Sequence, residues 1–237
     1  MREKLSWLPQ QYMLDTLDEN PKLARYHQGD SFCAVLFGHY LFIGGRFDPE
    51  AARFLAENML ADYVTFAYCP DEAWKDGLRA LFPDAKTMGR ALYAVKPYHS
   101  PNQDARIVRV EKADLGNYEG ADVFVDEVMG TATYDSMDDF FARGMGFSPL
   151  IGGRLSGFCT SEYPSEGKCA IGIMVEEEHR GQGLAKAMTR AFLTAARDRG
   201  IEAVYWECEA ENAGSYKTAL ACGFHKVASY EALVIWR

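Results

Sequence analysis

Residues 171–185 read I-G-I-M-V-E-E-E-H-R-G-Q-G-L-A, an apolar strand-like run that ends in a glycine-rich turn. A helical pattern follows at once, with Leu184, Met188, Ala191, Phe192 and Ala195 on one face before Gly200 stops it. That order can make an anion site. The first N–H groups of a helix have no internal partners, point outward and sit at the positive end of the macrodipole, so they can hold a phosphate. Gly181 and Gly183 lack a Cβ and permit close backbone approach, while Arg180 adds a charge-assisted donor at the rim. Taken alone, R-x-x-G-x-A reads as easily as a strand-to-helix connection with two permissive glycines.

The neighbouring elements decide between these readings. Downstream, 204–206 is an apolar strand, after which E-C-E-A-E-N-A-G-S-Y-K-T-A-L-A-C-G-F brings Asn212, Ser215 and a short helix ending at Gly223-Phe224, followed by terminal strands. Upstream, the second half opens with a strand at 107–110 and acidic helical candidates at 123–128 and 137–143. Short strands at 147–151, 155–160 and 169–175, separated by G-G-R and P-S-E-G, then form an antiparallel meander. The first half reads helix (7–17), strands 33–37 and 40–43 joined at Gly38-His39, helix from Pro49, strand 63–68, helix capped by Asp71, and strand 91–95. Between the halves, K-P-Y-H-S-P-N-Q-D at 96–104 combines two prolines with turn formers and no periodicity, as a linker does. The chain is therefore expected to fold as an N-terminal α/β domain over 1–103, of role not specified by its residues, and a C-terminal domain over 104–237.

Composition narrows the function classes. With 48% hydrophobic and 25% charged residues, the 237-residue chain can bury a core and is not disordered or low-complexity. Its net charge of −9 opposes the counterion release that nucleic acids and anionic membranes reward, and no apolar run approaches the roughly 20 residues of a membrane span. Neither nucleic acid nor membrane is an expected partner, and the expected location is cytoplasmic. The acidity is concentrated in the second half, which holds 14 basic and 21 acidic residues against 11 and 13 in the first. Six cysteines without a C-x-x-C pair fit neither a zinc site nor a disulfide framework, and the histidines lack metal-ligand spacing, so no metal is expected.

The series of strand, R-G-Q-G-L-A, helix, strand, Asn, helix and Gly-Phe resembles the GNAT superfamily of N-acetyltransferases. The pyrophosphate motif R/Q-x-x-G-x-G/A of that superfamily is matched by Arg180, Gly183 and Ala185. F-x-x-x-G-x-G-F at 140–147, I-G-I at 171–173, W-E-C at 206–208 and N-x-x-S at Asn212 and Ser215 extend the likeness to the two-domain GNAT acetyltransferases. The resemblance covers about 104–237 and implies a mixed α/β sheet whose fourth and fifth strands, here 169–175 and 204–208, splay apart around acetyl-CoA. It assigns Met174 and Val175 to the pantetheine and acetyl carbonyl. It gives the pyrophosphate to Arg180 and the backbone of Gly181, Gln182, Gly183, Leu184 and Ala185, and sets Asn212 and Ser215 on the cofactor's other side.

The implied reaction is direct attack of a primary amine, on a small molecule or a protein, on the acetyl thioester. Exposing a neutral alkyl amine at pH 7 costs about 4–5 kcal/mol. In-line positioning can supply roughly 7–11 kcal/mol and an oxyanion donor roughly 3–4, so positioning outweighs any one side chain.

Two positions depart from the family. The Tyr seven residues after the Asn is Ala219, and the Glu just before I-G-I is Ala170. Glu207 is the replacement candidate for the base, although Glu207, Glu209 and Glu211 also read as solvated strand-end charges. Ser215 and Tyr216 are the remaining catalytic candidates, Tyr216 being also an ordinary amphipathic-helix residue. Cys208 falls on the face opposite Glu207 and reads as a packed thiol, Glu176, Glu177 and Glu178 as a solvated face, and His179 as a surface residue. The missing Tyr and Glu also motivate a non-catalytic acyl-CoA-binding or sensing module, and a generic anion site is a third reading. Trp236 and the apolar terminal strand could seal the core or pair with a second copy as a homodimer.

Overall fold

The computed structural model describes residues 1–101 and 104–237. In chain order the elements are α1 (Gln11–Glu19), β1 (Ala24–Gln28), β2 (Phe32–Phe37), β3 (Tyr40–Gly45), α2 (Pro49–Asn58), β4 (Val64–Tyr68), α3 (Glu72–Leu81) and β5 (Lys86–Val95). They continue with β6 (Ile107–Arg109), α4 (Ala121–Gly130), α5 (Met137–Arg143), β7 (Gly146–Ile151), β8 (Arg154–Leu155), β9 (Gly157–Ser165) and β10 (Lys168–Val175). The last four are α6 (Leu184–Asp198), β11 (Ala203–Glu209), α7 (Ala213–Ala221) and β12 (His225–Trp236). The fold is mixed α/β, as the alternation of apolar strands and amphipathic helices requires.

The chain divides into two compact units, one of Met1–Arg90, Glu209–Glu211 and Ala228–Arg237, the other of Ala91–Cys208 and Asn212–Val227. The division falls at Arg90, and residues 228–237 return to the first unit instead of remaining in the second. The expected boundary near residue 103 lies outside the described residues. The stretch read as a linker is tied down within the second unit, where Tyr98 Oη donates to the Cys222 carbonyl (3.1 Å) and Ser100 N–H to Thr194 Oγ1 (3.1 Å).

In the first unit the strands run in the order β1-β2-β3-β4-β12. β2 and β3 form the hairpin turned at Gly38-His39, with Phe37 opposite Tyr40, while β3 and β4 are parallel and β12 runs antiparallel to β4 from Leu233↔Ala67 to Trp236↔Val64. Helices α2 and α3 start where the sequence supplies caps. Asp48 Oδ1 accepts from Glu50 N–H ahead of Pro49, and Asp71 Oδ1 accepts from Trp74 N–H, each worth about 1 kcal/mol. Both helices cover the sheet around Trp74, which is fully buried. Helix α1 begins at Gln11, later than the pattern from Trp7 suggests, and Trp7 stays exposed.

The second unit is built on β11-β10-β9-β7-β6, with β8 pairing β7. β9 and β10 are antiparallel from Ala170↔Glu162 to Val175↔Gly157, and β10-α6-β11 is a parallel crossover. Alternation sends Ile171, Ile173 and Val175 to the α6 face, where Met188, Phe192 and Leu193 of α6 are fully buried. Each such side chain stabilises by about 2 kcal/mol through the area it removes from water. The other face carries Phe158 and Met174 against α4 and α5, around Phe124 and Phe140.

Candidate functional site

Strands β10 and β11 part company midway. They pair at Lys168↔Ala203, Cys169↔Val204 and Ala170↔Tyr205, and among the described residues the ladder goes no further, although β10 stays paired with β9 as far as Val175. The separation begins within the two segments expected to splay. The wedge opens into a cleft of about 650 Å³, within the roughly 300–1,000 Å³ of small-molecule and cofactor sites.

One wall of the cleft is Ile173, Met174 and Val175 at the end of β10, and its rim is the turn before α6. Gly181 (φ 77°) and Gly183 (φ 81°) both adopt the left-handed backbone that an L side chain resists, and a Cβ at either would project into open space. The glycines are there for the turn and leave its backbone uncovered. Gly183 is the N-cap of α6 and offers no capping side chain, so the N–H groups of the first helical turn are available to a ligand. Arg180 Nε donates to the Val175 carbonyl (3.1 Å), which ties an exposed guanidinium to the strand end.

The opposite wall is Trp206 of β11 with Asn212, Gly214, Ser215 and Thr218 of the α7 turn. Asn212 Oδ1 accepts from Ser215 N–H (3.0 Å) and so caps α7. Ser215 Oγ accepts from Trp206 Nε1 (2.9 Å), which locks α7 to β11 across the base of the cleft. Trp206 in turn packs edge-on to Phe224, ring centroids 5.5 Å apart.

Of the residues expected at a cofactor site, Met174, Val175, Arg180, Gly181, Gly183, Leu184, Ala185, Asn212 and Ser215 line this cleft. Gln182 does not, its Oε1 being within 3.4 Å of Arg106 Nη1. His179, read as a surface residue, and Lys186, which the pattern did not single out, do. Glu176, read as part of a solvated face, is instead gripped by Arg154, whose Nη2 lies 2.7 Å from Glu176 Oε1. That contact holds the Glu176 carboxyl below its ordinary range and removes much of its repulsion toward an anion. Glu176, Glu178 and His179 bring potential ligand atoms within 4.8 Å of one another.

The catalytic candidates separate. Ser215 faces the cleft. Tyr216 is half-buried against the α6-side core and does not line it. Cys208 is buried in that same core. Glu207 alternates to the other face of β11, where it approaches two carboxylates that sequence reasoning missed, Glu162 of β9 and Glu127 of α4. Burial, then the charges of Glu127 and Glu207, pushes the Glu162 carboxyl up to about 8, and burial raises Glu127 as well.

Comparison with known proteins agrees with this geometry. The GNAT acetyltransferase family model matches residues 17–233, so the chain belongs to the GNAT acetyltransferase family. It is 23% identical over 234 residues to the uncharacterized N-acetyltransferase YdfB of Bacillus subtilis, covering 92% of this chain and 88% of that one. N-acetyltransferase 8F1 of Mus musculus is 40% identical over 65 residues, 27% of this chain and 29% of that protein. Among solved structures, a GCN5-related N-acetyltransferase-like protein from Streptococcus suis superimposes with a TM-score of 0.74 at 18% identity, covering 99% and 96% of the two chains. A GCN5-related N-acetyltransferase from Kribbella flavida gives 0.61 at 15% identity, over 95% and 94%. The protein is thus an acyltransferase of the GNAT type, and its fold is that of its structural neighbours.

Proposed function

We propose that this enzyme transfers the acetyl group of acetyl-CoA to a primary amine by direct attack. The carrying observation is the wedge itself, a strand ladder that ends at Ala170↔Tyr205 and opens onto the uncovered N-terminus of α6. In this reading the pyrophosphate lies on the backbone of residues 181–185 with Arg180 at its edge. The pantetheine runs along Met174 and Val175 as a further strand would, using backbone groups that β11 has vacated. Asn212 and Ser215 close the other side. Amine and thioester meet where the strands diverge, and the protein's contribution there is mainly positioning, worth roughly 7–11 kcal/mol.

Calorimetric titration of acetyl-CoA tests the reading. Binding is expected to wild type and to be lost in Arg180→Ala, Gly183→Glu, which removes the rim cation and puts a carboxylate where the phosphates would lie. No heat with folded wild-type protein would overturn it. Binding without CoA release on addition of any primary amine would favour an acyl-CoA-binding module, the reading that Ala219 and Ala170 motivate.

A further inference from the structure

The first unit carries a recess of its own, with no part in the reading above. It measures about 400 Å³, and its walls include Lys86 and Met88 of β5, Glu209, Glu211, and Val234 and Trp236 of β12. All six belong to the first unit, and none lines the cleft between β10 and β11. Strand alternation puts them there. Leu233 and Ile235 of β12 pack into the core with α2 and α3, so Val234 and Trp236 turn to the opposite face of the sheet. In β5, Thr87 Oγ1 accepts from Arg79 Nη2 of α3 (2.8 Å), which sends its neighbours Lys86 and Met88 the same way as Trp236. Glu209–Glu211 is an excursion of the chain into the first unit, pinned by Ala210 N–H donating to the Gly89 carbonyl (2.8 Å).

Two features of the recess call for a ligand. Trp236 does not seal the core but is 50% exposed, with Lys86 Nζ 5.9 Å from the centroid of its ring. The same pair borders a second hollow, of about 450 Å³, beside Pro83 and Asp84, so Lys86 has room to lift off the ring. The charges are also kept apart. Lys86 shares the recess with Glu209 and Glu211 yet forms no ion pair with either, and among the described residues neither carboxylate has an ion pair or a side-chain hydrogen bond. A plain cation entering here would meet Lys86, and a plain anion would meet two carboxylates. A molecule that carries an ammonium and a carboxylate on an apolar body answers all three charges and covers the indole.

We infer that this recess is a binding site for a zwitterionic amino acid with an apolar or aromatic side chain, a ligand site distinct from the acetyl-CoA cleft. The ligand's carboxylate draws the Lys86 ammonium from the indole face into a charge-assisted hydrogen bond. Its ammonium goes to Glu209 and Glu211, and its side chain lies against Trp236, Met88 and Val234. At about 30 Å³ for each water-sized group, the recess holds about a dozen non-hydrogen atoms, the size of phenylalanine.

The test uses whole protein labelled with ¹⁵N at the tryptophan indoles, without acetyl-CoA, the Trp236 resonance being identified by its loss in Trp236→Phe. L-phenylalanine is expected to shift that resonance saturably, with a midpoint in the millimolar range or below. Phenethylamine, which lacks the carboxylate, and 3-phenylpropionate, which lacks the ammonium, should each need at least about tenfold more, the value of one charge-assisted contact. Lys86, Glu209 and Glu211 are exposed, so Lys86→Met and the double variant Glu209→Gln, Glu211→Gln should fold. Each should weaken L-phenylalanine by about tenfold or more, with the indole resonances of Trp7, Trp74 and Trp206 left in place. No saturable shift with L-phenylalanine, an equal response to all three probes, or wild-type affinity in both variants overturns the proposal. A Trp236 resonance that moves when the protein alone is diluted would put a second copy over the recess and overturn it as well.

Discussion

Glu162→Gln should stabilise the protein, and by an amount that grows with pH. Burial and the neighbouring Glu127 and Glu207 carry the Glu162 carboxyl from 4.5 up to about 8 in the folded chain. A carboxyl raised in this way binds a proton that the unfolded chain has already released. Its contribution to stability is full below the unfolded value and is lost as pH climbs through the folded one. Between about pH 5 and about pH 8 each pH unit should therefore cost wild type about 1.4 kcal/mol relative to the variant, and the whole rise comes to about 5 kcal/mol. Set against a typical stability of about 5–15 kcal/mol, wild type would be much weakened at alkaline pH. Glutamine is nearly isosteric, cannot ionise, and offers Glu127 and Glu207 an amide donor. Urea unfolding of both proteins at a series of pH values reads the difference directly. The gap should open steadily from about pH 5 and level off above about pH 8. A gap that does not change with pH would show that Glu162 ionises as freely as in water, and the account of its burial beside Glu127 and Glu207 would fail with it.

Two further outcomes follow from burial. Gln10 is fully buried and neither atom of its amide has a partner among the described residues, so Gln10→Met, of similar length, should raise stability by about 1–2 kcal/mol in thermal unfolding; a lower Tm would show that the amide is satisfied after all. All six cysteines are free and buried, and burial pushes the Cys69 and Cys169 thiols up to about 12. Native protein at mildly alkaline pH should hardly react with a disulfide reagent that titrates six thiols in denaturant, and a fast native equivalent would contradict the packing.

Where a local rule governs structure, the residues announce it. Asp48-Pro49 and Asp71 start helices because an acidic cap satisfies N–H groups wherever it stands. The turn of Gly181 and Gly183 is as legible, since left-handed backbone in a strand-to-helix connection selects glycine. β1 escaped notice because it borders the sheet, and the residues of A-R-Y-H-Q, none of them fully buried, carry no apolar alternation. The late start of α1 has the opposite cause: Trp7 supplied a hydrophobic periodicity that the fold does not use. Glu127 and Glu162 were illegible for a different reason. Their approach to Glu207 depends on strand register and on the space above Gly172, and neither is written in the spacing of three glutamates that lie 35 and 45 residues apart. Glu207 itself was visible as a candidate, and its company was not.

The return of residues 228–237 to the first unit constrains the order in which the molecule can be made. β4 has β3 on one side and β12 on the other, so a nascent chain that has emerged through Arg90 has an open sheet edge beside the buried Ala67 and Tyr68. The 137 residues of 91–227 must be synthesised before the strand that covers this edge arrives, a wait of roughly ten seconds or more at ordinary translation rates. The other unit has all its residues within that interval and can close first, leaving the amino-terminal half to be sealed last. Slow translation or truncation ahead of Ala232 would leave the edge of β4 open to pair with a neighbouring chain.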